Sequence, residues 1–197
     1  MNDAQGPVLA TERFELWRPV ASDLAGMCRL LADEETRRFL GPARADPHSQ
    51  FDRLMRNAGS WALHGYGSFM VRPKGASPII ASCGVFHSLR GFGPELRMDD
   101  VPEAGWIVRH DHQGRGVARE AMEAALGWFD ATHGFRRIAC MIEVGNLASE
   151  RLAGKLGFMR YASHELDEGD DQVSMTLLER VAQPAAGLRL RGNSTSR

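Results

Sequence analysis

GWIVRHDHQGRGVAREAM, residues 105–122, is the stretch on which the reading of this chain turns. It opens with an apolar strand-like run, passes through a loop carrying Gly114 and Gly116, and enters a segment with helical periodicity. There Ala118, Ala121, Met122, Ala125, Leu126 and Phe129 recur on one face while Arg119 and Glu123 face outward. A strand, a glycine loop and a helix start in direct succession form an anion-binding layout. The two glycines remove side chains that would block close approach, and the first amides of a helix have no intrahelical acceptor. A pyrophosphate suits such a site. Neither common nucleotide motif is present: no GK[ST] follows, and Arg119 stands where the dinucleotide fingerprint needs its third glycine. Taken alone, the glycines fit a tight turn equally well.

Working outward, residues 14–18 alternate as a short half-buried strand ending at Pro19. Ser22 is placed to cap a helix carrying Leu24, Met27, Leu30 and Leu31, and a short turn then runs to Leu40, stopped by Gly41 and Pro42. Pro47 opens a longer helix through Phe51, Leu54, Met55 and Ala58, closed by Gly65. Strands are expected over 68–72, 79–87 and 103–108 as a meander, then the helix over 116–133 with Gly134 at its end. A strand over 137–142 precedes a helix over 147–156 whose Ala148, Leu152 and Leu156 share a face, with Gly157 and Phe158 supplying a Schellman stop. Strands over 158–164 and 173–178, joined by the acidic turn 167–171, complete the domain, and no periodicity remains from residue 183. The expected division is an extension over 1–8, one domain over 9–180 and a tail over 181–197.

Bulk properties narrow the classes. With 197 residues and 43% hydrophobic content there is one substantial core. A net charge of −1 gives no positive field to gather nucleic acid or an anionic membrane, so neither is expected as a partner. Cys28, Cys83 and Cys140 are odd in number and far apart, which fits reduced buried thiols better than disulfides or a zinc knuckle. His110 and His112 alternate like ligands, yet no further cluster at ligand spacing supports a metal, and none is expected. Neither a signal segment nor a membrane-length apolar run is evident, and a cytoplasmic location follows.

QGRGVA, residues 113–118, matches the (Q/R)xxGx(G/A) signature of the GNAT acyltransferase superfamily, and NLASERLAGKLGF, residues 146–158, resembles that superfamily's next helix. LATERFELWRPVASDL (9–24) and PEAGWIV (102–108) are similar to the branch that includes ribosomal-protein N-terminal acetyltransferases. The resemblance covers residues 9–178. It implies an α+β fold: a mostly antiparallel sheet of six to seven strands whose fourth and fifth strands splay apart, flanked by about four helices.

The resemblance also implies acetyl-coenzyme A as cosubstrate in that gap, transferring to a primary amine such as a protein N-terminus or a small molecule. The fourth strand's Trp106, Ile107 and Val108 would pair by backbone with the pantetheine arm. Gln113, Gly114, Arg115, Gly116, Val117, Ala118 and Arg119 would hold the pyrophosphate, with Asn146 and Ser149 near the thiol end. The Trp106 indole is assigned to packing, and Asn146 also suits a helix cap. A backbone amide near Ile107 or Val108 is the expected oxyanion donor. Glu103, at the start of the central strand, is the favoured base through water, with Glu143 second. Many members protonate the leaving thiolate with a tyrosine, but Ala153 stands at that position, leaving Ser149 as the hydroxyl. An α-amine, with a reference pKa of about 7.7–8.0 against about 10.4 for lysine, needs less help to lose its proton. The acceptor groove is expected from the early helices and residues 61–66 and 89–96, and superfamily precedent raises a sheet-edge homodimer. The competing readings are a non-catalytic acyl-coenzyme-A-binding module and a protein whose glycines only turn the chain.

Overall fold

The structure, a computed structural model, describes residues 6–40, 45–168 and 171–181. Its strands are β1 (Leu9–Ala10), β2 (Phe14–Trp17), β3 (Ser68–Pro73), β4 (Ala81–Leu89), β5 (Asp99–Val108), β6 (Ile138–Glu143), β7 (Met159–Glu168) and β8 (Asp171–Arg180). They form an eight-stranded sheet in the order β1-β2-β3-β4-β5-β6-β8-β7. Every neighbouring pair is antiparallel except β5 and β6, which run parallel. The α-helices are α1 (Leu24–Leu30), α2 (Glu34–Arg37), α3 (Pro47–His64), α4 (Val117–His133) and α5 (Leu147–Lys155). The α+β class and the meander agree with the sequence reading. The strand and helix counts exceed it because the 2-residue β1 and 4-residue α2 are too short to leave a periodic signal.

Local chemistry explains most boundaries. Asp46 accepts from Ser49 N–H at 3.0 Å, Pro47 fills the first turn of α3, and Gly65 closes it at φ 77°. At the end of α5, Phe158 N–H reaches Ala153 O at 3.0 Å and Gly157 N–H reaches Gly154 O at 3.2 Å, the Schellman pattern. One expected cap is corrected. Ser22 is exposed in a 3-10 turn, Ala21–Asp23. The buried Asp23 closes that turn instead, accepting from Val20 N–H at 2.9 Å and pairing with Arg72 at 2.5 Å. The buried side of α5 is also shifted: Ala148 is exposed, while Leu152, Ala153 and Leu156 pack inward. The expected stop at Gly41 and Pro42, part of the acidic turn and the tail beyond residue 181 lie outside the described residues.

The sheet separates two apolar layers. On one face Ala121, Met122, Ala125, Leu126 and Phe129 of α4 pack on Leu16, Val71, Cys83 and Val85. On the other, Met27, Leu30 and Leu31 join Leu54 of α3 over Met70 and Ile107. A third cluster around Met98, Ala139, Met175 and Leu177 fills the β6 to β8 end. All three cysteines are free thiols, and burial pushes Cys83 up to about 12.

Candidate active site

β5 is zipped to β4 from Asp99 to Val108, but its parallel pairing with β6 consists of Glu103↔Ala139 and Ala104↔Cys140. Beyond Ala104 the two strands part, leaving a stretch of β5 edge without a strand partner among the described residues. Successive residues of a strand direct their backbone groups to opposite sides. Arg109 N–H donates to Ile80 O at 2.9 Å on the β4 side, so Ile107 and Gly105 also face β4. Trp106 and Val108 therefore present their backbone groups to the gap. Val108 O is met there by Gln113 Nε2 at 3.0 Å, which leaves the N–H groups of Trp106 and Val108. Of the three residues expected along the cofactor, Ile107 thus has its backbone in the sheet and its side chain in the α1–α3 layer.

Next to this edge the chain makes a 3-10 turn, His110–His112, then reaches Gly114 at φ 71° and Gly116 at φ 77°, both in the left-handed region. Gly116 is the N-cap of α4 and, among the described residues, no side chain caps that terminus. The first-turn amides of Val117, Ala118 and Arg119 are thus without a side-chain acceptor, in a segment where a phosphate could take that place. Arg115 is exposed, and Arg119 pairs along the helix with Glu123 at 2.8 Å. His112 Nε2 accepts from Arg109 NH2 at 2.9 Å, and Arg109 also donates to Asp111. No cluster of three or more His, Cys, Asp or Glu suited to a metal occurs among the described residues.

No local pattern marks what braces this loop. Glu120, in the first turn of α4, accepts from Thr11 Oγ1 at 2.6 Å, Arg13 N–H at 3.0 Å and Arg13 Nε at 2.7 Å. Arg13 NH1 also donates to Arg115 O at 2.9 Å. The β1–β2 turn is therefore strapped to the start of α4. Burial would raise the Glu120 pKa, but the bonds from Thr11 and Arg13 outweigh it and lower it.

Across the gap, Asn146 caps α5, its Oδ1 accepting from Ser149 N–H at 3.1 Å. Ser149 Oγ in turn accepts from Trp106 Nε1 at 3.1 Å. The Trp106 indole, assigned to packing in the sequence, does both jobs: its ring rests against the main core and its N–H fixes the serine hydroxyl. Ala153, at the position where many family members carry a tyrosine, is 0% exposed and belongs to the core.

Glu103 is 3% exposed and held by Arg90, whose Nε donates to Oε2 at 2.9 Å while NH2 meets Oε1. Burial opposes charge on Arg90, yet the bond to Glu103 raises its pKa. Both residues line a cavity of about 730 Å³ that runs from Ser149, Asn146 and Glu143 past Ala104 to Ile107 and on to α3. Cys140 also lines it, and burial, followed by the charge of Glu103, pushes that thiol up. The far wall matches the expected groove only in part. Ser49, Gln50, Arg53, Arg56 and Asn57 of α3 form it, together with Ser88 to Arg90. Residues 61–66 and 91–96 do not: Trp61, for one, is buried and packed against Phe69 and Trp128.

With this geometry in place, comparison with known proteins is informative. The profile of the acetyltransferase (GNAT) domain matches residues 13–159. A structure described as a GnaT-family acetyltransferase from Bordetella pertussis is 31% identical, covers 88% of this chain and 98% of its own, and superposes with a TM-score of 0.76. The ribosomal-protein-S5-alanine acetyltransferase of Vibrio fischeri shares the fold at 17% identity, with a TM-score of 0.68 and coverage of 88% and 95%. The uncharacterized protein YkkB of Bacillus subtilis is 28% identical over 99 residues, 50% of this chain and 54% of YkkB, so the chain spans about half the length of that relative. The chain belongs to the GNAT acetyltransferase family and is an N-acetyltransferase, with acetyl-coenzyme A as the family's cosubstrate. No described helix is long and apolar enough to cross a membrane.

Proposed function

We propose that the chain transfers acetyl from acetyl-coenzyme A to a primary amine, on a peptide N-terminus or a small molecule, by direct attack, with the transferase domain spanning residues 9–180. One conjunction carries the reading: β5 parts from β6 after Ala104 beside a helix start whose amides no side chain caps among the described residues. Main-chain N–H groups of residues 114–119 are the natural holders of a pyrophosphate, and the Trp106 and Val108 edge can pair with an amide-bearing arm. Acetyl-coenzyme A supplies the acetyl group already activated as a thioester.

Each remaining task falls to a residue on the gap. The N–H of Trp106 or Val108 stabilises charge on the reacting carbonyl oxygen, worth about 3 kcal/mol when preorganised. Glu103, its position fixed by Arg90, accepts the amine's proton through a water, since carboxylate lone pairs remain beyond those taken by the guanidinium. Ser149 accepts from Trp106, which leaves its own O–H free to protonate a departing thiolate. Cys140 is a poor nucleophile because its thiol is pushed up, which favours direct transfer over an acyl-cysteine. This modest acid-base equipment suits an α-amine, with its reference pKa of about 7.7–8.0.

The test is an acetyl-transfer screen over peptide N-termini, lysines and small amines, read by mass change, then repeated with Glu103→Gln and Ser149→Ala. Both variants should lose turnover while still binding coenzyme A. Full turnover in both removes these assignments, and binding without transfer to any amine overturns the amine-acceptor reading.

A further inference from the structure

α3 presents Gln50, Arg53, Asn57 and Trp61 at helical spacing toward the sheet. Asn57 grips β3 from both ends of its amide, donating to Ser68 O at 2.9 Å and accepting from Ser68 N–H at 2.8 Å. Trp61 Nε1 adds a bond to the same carbonyl at 3.2 Å, and a side chain at Gly67 would come within 2.5 Å of the Trp61 ring. The helix therefore cannot roll. One turn before Asn57, Arg53 is half-buried and lines the cavity with Arg56 and Arg90.

Arg90 is engaged by Glu103. Among the described residues no carboxylate pairs with Arg53 or Arg56. Burial, then the charges of Arg56 and Arg90, lower the Arg53 pKa to about 10, so the group is cationic at neutral pH in an unfavourable place. A half-buried guanidinium crowded by like charge is poised for an anion, which arginine binds in bidentate fashion. The acidic side chains of the cavity are placed elsewhere: Glu103 and Glu143 lie on the β5 and β6 walls, and Asp52 is exposed on the outer turn of α3, 3.9 Å from His48. The cavity is thus cationic toward α3 and carries carboxylates and the Ser149 hydroxyl toward the gap.

We infer that the acceptor is an amine that also bears an anionic group, a carboxylate or a phosphate, which docks on Arg53 and Arg56 while its amino group faces the β5 gap. This rests on the amine-acetylation reading above. The same chemistry is available from a free zwitterionic molecule or from a peptide with an acidic residue near its N-terminus, and matched acceptors separate the two sources.

Coenzyme-A release is measured with alanine against alaninamide, phosphoethanolamine against ethanolamine, and the peptide Ala-Asp-amide against Ala-Asn-amide. Within at least one pair the anionic member should be preferred in kcat/KM by roughly tenfold or more, the scale of one charge-assisted hydrogen bond. Arg53→Gln should shrink that preference to below about threefold through KM, and Arg53→Lys should restore part of it. If Arg53→Gln fails to fold, the wild-type pairs and Arg53→Lys decide. Preference for the neutral members, or a preference untouched at Arg53, overturns the inference while leaving amine acetylation standing. No acetylation of any member, with coenzyme A still raising the Tm, overturns both.

Discussion

The two halves of the site are made of different materials. Around Gly114 to Arg119 and along the free edge of β5, the groups proposed to hold the cofactor are main-chain amides, and side chains matter there mainly by staying away. Toward α3 the groups proposed to act are side chains: Arg53, Arg56, Arg90, Glu103 and Ser149, which line one cavity from four separate elements or loops. The backbone half depends on φ angles and on the end of a helix, which a short contiguous sequence fixes. The side-chain half depends on which strands are neighbours. A backbone site tolerates substitution of its own side chains but not of its conformation, and a side-chain site behaves the opposite way.

That contrast can be attacked first at Gly116. At φ 77°, with Arg13 NH2 3.3 Å from where a Cβ would sit, Gly116→Glu adds left-handed strain, a steric clash and a negative charge beside the helix amides. Coenzyme-A affinity by calorimetry should fall at least roughly 100-fold, about 2.7 kcal/mol. Unchanged affinity would refute the assignment of the backbone half.

A smaller effect is expected at the seam between the halves. Trp106→Phe keeps the ring but removes the N–H that fixes Ser149 Oγ at 3.1 Å, so kcat should drop about tenfold with coenzyme-A affinity little changed. A matching loss in both parameters would mean that the indole serves the cofactor rather than the serine. Smaller still, Gln113→Ala and Arg115→Ala should each change coenzyme-A affinity by less than roughly threefold, because exposed charges and single neutral hydrogen bonds contribute little beside aligned amides. A tenfold loss in either would show that the cradle is built from side chains after all.

The smallest effect concerns the strap. Glu120 has a lowered pKa in the folded protein, so its stabilisation is present above the ordinary carboxylate range and is lost as pH falls through the folded value. The Tm gap between wild type and Glu120→Gln should therefore be a few degrees near neutrality, at about 2–4 °C per kcal/mol, and close on acidification. A gap that widens in acid would reverse the sign and remove the strap from the stability of the α4 start.

Legibility follows the same divide. The glycine loop, α4, the strand before it and the Schellman stop at Gly157 are all local, and residues 105–122 and 146–158 announced them. Ser22 misled because a hydroxyl before an apolar stripe resembles a cap, whereas the longer-range pairing of Asp23 with Arg72 had already closed the turn. Residues 61–66 carry no local sign that they leave the groove: Trp61 Nε1 bonds to Ser68 O and its ring packs on Phe69 and Trp128, while earlier turns of α3 reach the cavity. The Trp106 indole was assigned to packing because its partner lies 43 residues away on α5.

What the sequence alone determined is the uncapped helix start and the element order, since each follows from contacts within a few residues: left-handed glycines, helical periodicity and turn chemistry, while the α+β class came from the family resemblance. What only the tertiary structure decided is where β5 parts from β6, which edge groups that frees, and which charges meet in the cavity. Those depend on strand register and on pairs as distant as Arg13 with Glu120, 107 residues apart. No local pattern encodes such pairs, because the free energy that selects them comes from packing the whole sheet.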